Sequence, residues 1–332
     1  MGTLVDRLSD RLSALDCPFA SALHPAADQV QQGTYDWANS HGLLTTMELR
    51  QSFADRQYGI LMARAYPTAP IDILQLIADW NTWLFLLDDK FDIDMLGMHP
   101  TAVQTMITNI LTTFRGETRG YNDSTMTAIQ DLAQRMHMLT DSEWQTQLLA
   151  ELSRSFQASL WEAHNRATVT VPSIAEYRTQ RPYTGAVYCY LHWIEPAYSC
   201  VLPMTLREHE VVQQLIRLTN EIIWLANDLI SFEREVAAGD VHNLVYLLHY
   251  ERGLPLATAM EQVIHEHNNA LATFQAYCNQ LSFRNNGIDE QLRHYVYGLQ
   301  RWIRANYDWS QTTIRYQQEK AQAIGDNTTS EK

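Results

Sequence analysis

The chain has 332 residues, 46 % of them hydrophobic, with 24 basic against 38 acidic side chains and a formal net charge of −14. So large an acidic excess disfavours a phosphate backbone and excludes nucleic acid as the expected partner. The 13 glycines and 10 prolines amount to about 7 % of the chain against an average near 12 %, which favours long helices over a turn-rich β architecture.

Four cysteines, Cys17, Cys189, Cys200 and Cys278, are widely spaced with no Cys-x-x-Cys pair. They read as reduced core residues of a cytoplasmic protein. The opening MGTLVDRLSDRLSAL has no apolar signal core, and Asp6 stands where myristoylation requires Ser or Thr. The most apolar run, Ile73 to Leu87, is short and interrupted by Asp79 and Asn81, so no membrane span is expected.

In chain order, apolar periodicity predicts a short helix before Pro18, then helices over about 26–40 and 45–66, the second ending at Pro67. A helix over about 69–89 follows, and Pro100 opens another that ends near Gly116. GETRGYND (Gly116 to Asp123) reads as a loop between that helix and two more, over about 124–139 and 141–166. Pro172 argues against a strand at VTVPS, and Ser173 with Glu176 three residues on reads as a capping box. Helices are then expected over about 186–199, 205–236, 243–252, 255–281 and 288–318. The expected architecture is one all-α domain over 1–320, with a disordered polar tail over 321–332.

Two stretches carry chemistry. In NDLISFERE, Asn227, Ser231 and Glu235 are spaced four apart, so each step turns a helix by only about 40° and the three oxygens share one face. Amide, hydroxyl and carboxylate oxygens are hard ligands that suit Mg²⁺ or Mn²⁺ rather than zinc. In the other stretch, DDKFD, Asp88 continues the apolar stripe of Ile73, Ile77, Trp80 and Leu84, and Asp92 follows one turn later. A carboxylate on a buried stripe is costly unless it is paired or binds a metal. His265-Glu266-His267 does not meet the His-Glu-x-x-His spacing of a zinc site.

Together, DDKFD and NDLISFERE resemble the two metal motifs of bacterial class I terpene synthases. The resemblance implies a helical bundle around a central apolar cavity. It implies three Mg²⁺ ions at the mouth, with Mn²⁺ as an alternative, held by Asp88, Asp92, Asn227, Ser231 and Glu235. Asp89 is expected to turn toward an arginine. The family places a diphosphate-sensing arginine 46 residues before the motif Asn, which selects Arg181 over nearby Arg178. Thr184 and Gly185 then match the linker and effector positions of a helix break. Arg234, Arg315 and Tyr316 match further diphosphate contacts.

Aromatic faces stabilise carbocations without a lone pair to quench them. Phe85, one turn before Asp88, is the leading candidate for the cavity wall, joined by Trp302, Trp309, Tyr190 and Tyr58. The activity implied is cyclisation of a linear isoprenoid diphosphate, farnesyl diphosphate by chain size, with C20 and C10 substrates as alternatives. A chain-elongating prenyl diphosphate synthase would carry a second aspartate-rich motif where NDLISFERE stands. A helical protein that only binds prenyl diphosphates would not need ligands in both motifs. Asp92-Ile93-Asp94-Met95 lacks the last Asp of the protonation-initiated cyclases. A homodimer is the assembly implied.

Overall fold

The structure is a computed structural model that describes residues 8–92, 95–117, 123–281 and 287–316, with the side chains of 92, 95, 96, 287 and 288 outside that description. The polar tail expected at 321–332 and residues 118–122 of the expected loop also lie outside the described residues. Every regular element among the described residues is helical.

Helix α1 is Leu8–Ser13 and α2 is Ala27–Ser40. Thr46 accepts the Leu49 amide at 3.1 Å and opens α3, Met47–Arg56, which is followed by α4, Tyr58–Ala65. The sequence pattern predicts one helix here, but Gln57 takes a left-handed φ of 56°. The reason is tertiary: the Arg56 carbonyl accepts from Trp309 Nε1 at 2.9 Å and Thr313 Oγ1 at 3.0 Å. The first acidic motif ends α5, Ile71–Asp92. Pro100 begins α6, Pro100–Phe114, and aspartate caps at Asp123 and Asp141 start α7, Ser124–Leu139, and α8, Ser142–Thr168.

The capping box of Ser173 and Glu176 opens α9, Ile174–Thr184. The helix expected over 186–199 divides into α10, Val187–His192, and α11, Ile194–Ala197. Likewise the start of the next becomes α12, Met204–Arg207, and α13, Glu210–Ala237, carries the second motif. Then come α14, Leu244–Arg252, α15, Leu256–Gln280, and α16, Gly287–Thr312. A 3₁₀ turn, Ile314–Tyr316, follows α16.

Helix α13 packs on α15 and α16, while α5 packs on α2 and α4. Gly59 permits the α2–α4 contact, since a Cβ there would lie 2.7 Å from the Gln31 Cα. Chained ring contacts among Trp80, Trp83, Phe114, Trp193 and Trp144 fill the core behind α5. Helices α5 and α13 therefore have firm backing and present their motif faces to a shared hollow.

Candidate active site

A cavity of about 180 Å³ is lined from α4, α5, α8, α13 and α16, from the break between α9 and α10, and from the final 3₁₀ turn. Asp88, Asn227, Arg234 and Glu235 all line it. Asp88 Oδ2 accepts from Arg315 Nη2 at 2.9 Å. Its side chain is 47 % accessible and lines the cavity. Enclosure by the walls raises its carboxyl above the usual carboxylate range, Arg315 opposes this, and adjacent Asp89 reinforces it. Asp89 turns aside to Arg315 Nη1 at 2.8 Å and Arg56 Nη1 at 2.9 Å, with Arg234 at 3.8 Å. Burial alone would raise the Asp89 carboxyl, but these three guanidiniums hold it below its ordinary value. The Asp92 side chain is outside the described residues.

On α13, Asn227 Oδ1 accepts from Arg181 Nη2 at 2.7 Å and its Nδ2 donates to the Tyr316 hydroxyl at 3.0 Å. Ser231 is fully buried beneath the cavity surface and donates to the Asn227 carbonyl at 2.7 Å. Glu235 Oε2 accepts from Asn243 Nδ2 at 2.8 Å. Burial pushes the Glu235 carboxyl up to about 7, against the pull of Arg234. These bonds leave lone pairs on Asn227 Oδ1 and Ser231 Oγ, and they leave Glu235 Oε1 and Asp88 Oδ1 without a partner among the described residues. The donor set is all oxygen and fits a hard divalent cation.

The α9–α10 break is built around Arg181. Its Nε donates to Asp228 Oδ1 at 2.7 Å, its Nη1 to Thr184 Oγ1 at 3.0 Å, and its Nη2 to Asn227. Arg178 instead turns to Glu266 at 2.8 Å. Pro182 sits inside α9 and deprives the Arg178 carbonyl of its helical partner. The bend differs from expectation in one respect: Gly185 has φ −81°, and Ala186 takes the left-handed φ of 52°. What Gly185 supplies is room, because a Cβ there would sit 3.2 Å from Arg181 Nη1. Its carbonyl accepts no hydrogen bond among the described residues.

Phe85, Tyr190, Trp302 and Trp309 line the cavity. The Arg315 guanidinium lies 4.8 Å over the Phe85 ring. Tyr58 does not reach the wall: it stacks behind Phe85 at 4.7 Å, and its hydroxyl accepts from Arg56 at 3.0 Å and Arg315 at 3.3 Å.

Sequence reasoning missed Asp228. It is 1 % exposed and accepts from Arg181, the Tyr177 hydroxyl at 2.7 Å and the Leu244 amide at 2.9 Å. The only signal available was a second acid beside Asn227 on a helix whose next residue is apolar. Arg56 was likewise missed, since nothing in the sequence pairs it with Asp89.

An oxygen-rich, arginine-ringed mouth over an aromatic hollow in an all-α bundle defines a diphosphate- and metal-binding class of enzyme. The comparisons narrow it. Residues 79–273 match the family model described as terpene synthase family 2, C-terminal metal binding. The chain is 36 % identical to a (+)-T-muurolol synthase ((2E,6E)-farnesyl diphosphate cyclizing) from Roseiflexus castenholzii, covering 92 % of this chain and 94 % of that one. It is 31 % identical to germacrene A synthase from Nostoc punctiforme, covering 91 % and 94 %. Among solved structures, wild-type cucumene synthase shares the fold at TM-score 0.77 and 23 % identity, covering 90 % of this chain and 100 % of that one. This chain belongs to the terpene synthase family. Among the described residues no helix is long and apolar enough to cross a membrane.

Proposed function

We propose that the chain cyclises (2E,6E)-farnesyl diphosphate to a sesquiterpene hydrocarbon or alcohol, releasing diphosphate. One observation carries this reading: consecutive residues Arg315 and Tyr316 reach Asp88 on α5 and Asn227 on α13, so both motifs open onto one aromatic-walled cavity. Relatives over nine-tenths of the chain, one of them described as cyclising farnesyl diphosphate, support the substrate.

Asp88, Asn227, Ser231 and Glu235, with Asp92, would hold three Mg²⁺ ions, or Mn²⁺ in their place. Bound there, the cations supply Lewis-acid stabilisation of the charge on the departing diphosphate. Arg181, Arg234 and Arg315 add fixed positive charge at the mouth, and the Tyr316 hydroxyl adds a donor, preorganised before the C–O bond breaks. Arg181 reports diphosphate binding to the helix break through Thr184, and the free Gly185 carbonyl is the dipole that turns toward the nascent cation. Phe85, Tyr190, Trp302 and Trp309 face that cation with π density. Arg315 and Tyr316 shut the mouth and exclude bulk water while the cation lives. From the family resemblance we take the assembly to be a cytoplasmic homodimer.

Incubation with the C10, C15 and C20 diphosphates and Mg²⁺, followed by gas chromatography and mass spectrometry, tests the reading. The expected result is a cyclic C15 product with stoichiometric diphosphate. A lengthened linear diphosphate, or no release from any of the three, overturns it.

A further inference from the structure

We propose that Asn81 holds the water molecule that ends the reaction, so that the principal product is a sesquiterpene alcohol. The inference rests on the farnesyl diphosphate cyclisation proposed above. Asn81 stands on α5 seven residues before Asp88, two turns deeper along the same face, and it lines the cavity with Leu84 and Phe85. It is fully buried, and its Nδ2 donates to the Tyr58 carbonyl at 3.1 Å. A carbonyl oxygen can only accept, so this bond fixes which arm of the amide is nitrogen. The other arm, Oδ1, is a buried acceptor with no partner among the described residues.

An unpaired buried acceptor costs roughly 1–3 kcal/mol, a cost that a leucine of similar size would not incur. Its surroundings do not supply a donor by accident, because Leu61, Leu84, Phe85 and Leu87 are apolar. Trp302 faces the same cavity from α16 and adds an aromatic ring to its wall. An unpaired buried acceptor on a cavity wall matches one donating arm of a water. The cavity, at about 180 Å³, is more than ten times the roughly 10–15 Å³ a water requires.

The chemistry follows from the direction of these bonds. A water that donates one proton to Asn81 Oδ1 is made more nucleophilic and keeps a lone pair for the cavity. That lone pair forms a C–O bond to the cationic carbon. The resulting oxonium gives up one proton to the diphosphate already released, leaving a neutral alcohol with no change of oxidation state. Only water is consumed besides the substrate.

The experiment runs the full chain with farnesyl diphosphate and Mg²⁺ in H₂¹⁸O and measures labelled alcohol per diphosphate released. The wild type is expected to give chiefly an alcohol carrying one ¹⁸O. In Asn81→Leu, alcohol per diphosphate should fall by about ten-fold or more as hydrocarbon replaces it. Because the readout is a ratio, a slower variant still reports. A wild type that makes only hydrocarbon overturns the proposal, as does a folded Asn81→Leu with an unchanged ratio. If circular dichroism shows Asn81→Leu unfolded, Asn81→Ala, which also removes the acceptor, replaces it with the same expectation of a lower ratio, and the wild-type label stands as an independent arm. Failure of the wild type to release diphosphate refutes the functional reading itself, and this inference falls with it. Release without labelled alcohol refutes this inference alone.

Discussion

Arg315 donates to Asp88 at 2.9 Å while the next residue, Tyr316, receives the amide of Asn227 at 3.0 Å. A single dipeptide thus ties the two motif helices together across the cavity mouth. The Arg315 guanidinium is almost wholly buried and kept charged, because Asp89, Tyr58 and Asp88 outweigh the cost of its burial. Replacing it leaves two carboxylates without their main counter-charge and removes one of the four proposed diphosphate donors. Arg315→Gln should lower kcat/KM by about 10²-fold, the scale of losing one preorganised donor, with helicity unchanged. Diphosphate release measured by a coupled assay checks this. Turnover within a few-fold of wild type would assign the clamp a purely structural role.

The proposed oxygen ligands give a sharper expectation. Asn227→Leu removes the amide that Arg181 and Tyr316 both hold, and Glu235→Ala removes the carboxylate two turns on. Either change should abolish turnover while circular dichroism stays that of a helical protein. Chelation with EDTA should also abolish wild-type turnover, with Mg²⁺ or Mn²⁺ restoring it. Zinc should not, since an all-oxygen set disfavours the softer ion. Retained activity in either variant refutes its assignment as a ligand.

Asp228 forms the hub beneath Arg181, and its contribution is to stability as much as to activity. At 1 % exposure it carries a guanidinium, a phenol and a backbone amide at 2.7–2.9 Å. Breaking a buried ion pair by removing one partner costs about 3–5 kcal/mol, so Asp228→Leu should lose that much by urea denaturation. Tyr177→Phe removes one hydrogen bond and should lose only about 1–2 kcal/mol. A loss below 1 kcal/mol in Asp228→Leu would show that the arginine finds another partner.

The contrast between these residues explains what could be read from the sequence. The place of Asp88 on the cavity wall was legible because a carboxylate on a 3.6-period apolar stripe announces itself, and the shared face of Asn227 and Glu235 because four-residue spacing fixes one. Asp228 was not, since its meaning lies in Tyr177, some fifty residues earlier, and no local pattern records that contact. The left-handed residue at the break, Gln57, is neither Gly nor Pro; the break arises from Trp309 and Thr313 reaching the Arg56 carbonyl. Tyr58 was placed one layer too far forward, because residue type predicts an aromatic wall but not which ring stands in front. Gly185 drew attention to the right turn, while the strained φ fell on its neighbour Ala186.

Phe85 is where cavity shape meets product choice. Its ring stacks on Tyr58 and meets Trp309 at 5.5 Å, with Arg315 above it. Phe85→Ala opens space on the cavity wall and leaves Asp88, Asn227, Ser231 and Glu235 in place. The product mixture should therefore change more than the rate of diphosphate release. An unchanged mixture by gas chromatography removes Phe85 from the reacting wall.

A last prediction concerns pH and a residue outside the cavity lining. His192 is buried, its Nε2 donates to the Trp144 carbonyl at 3.1 Å, and its ring stacks on Trp144 at 4.9 Å. Burial, opposed by the Trp144 hydrogen bond and Asp141 and assisted by Arg207, lowers its pKa from 6.5 to about 4. A folded pKa below the unfolded one means that the unfolded chain binds the proton first. The associated stability is then complete above pH 6.5 and is lost as pH falls toward 4. Two and a half units correspond to about 3 kcal/mol. Asp79, raised by burial to about 6 and partly offset by Arg135, acts in the opposite direction over an overlapping range. The wild type alone therefore cannot isolate His192. His192→Gln keeps an N–H for the Trp144 carbonyl but cannot titrate, and it leaves Asp79 as it was. The stability of wild type minus that of His192→Gln should fall by about 3 kcal/mol between pH 7 and pH 4, read from urea midpoints at each pH. A difference that stays flat across that window means that His192 is protonated as readily in the folded protein as in the unfolded chain.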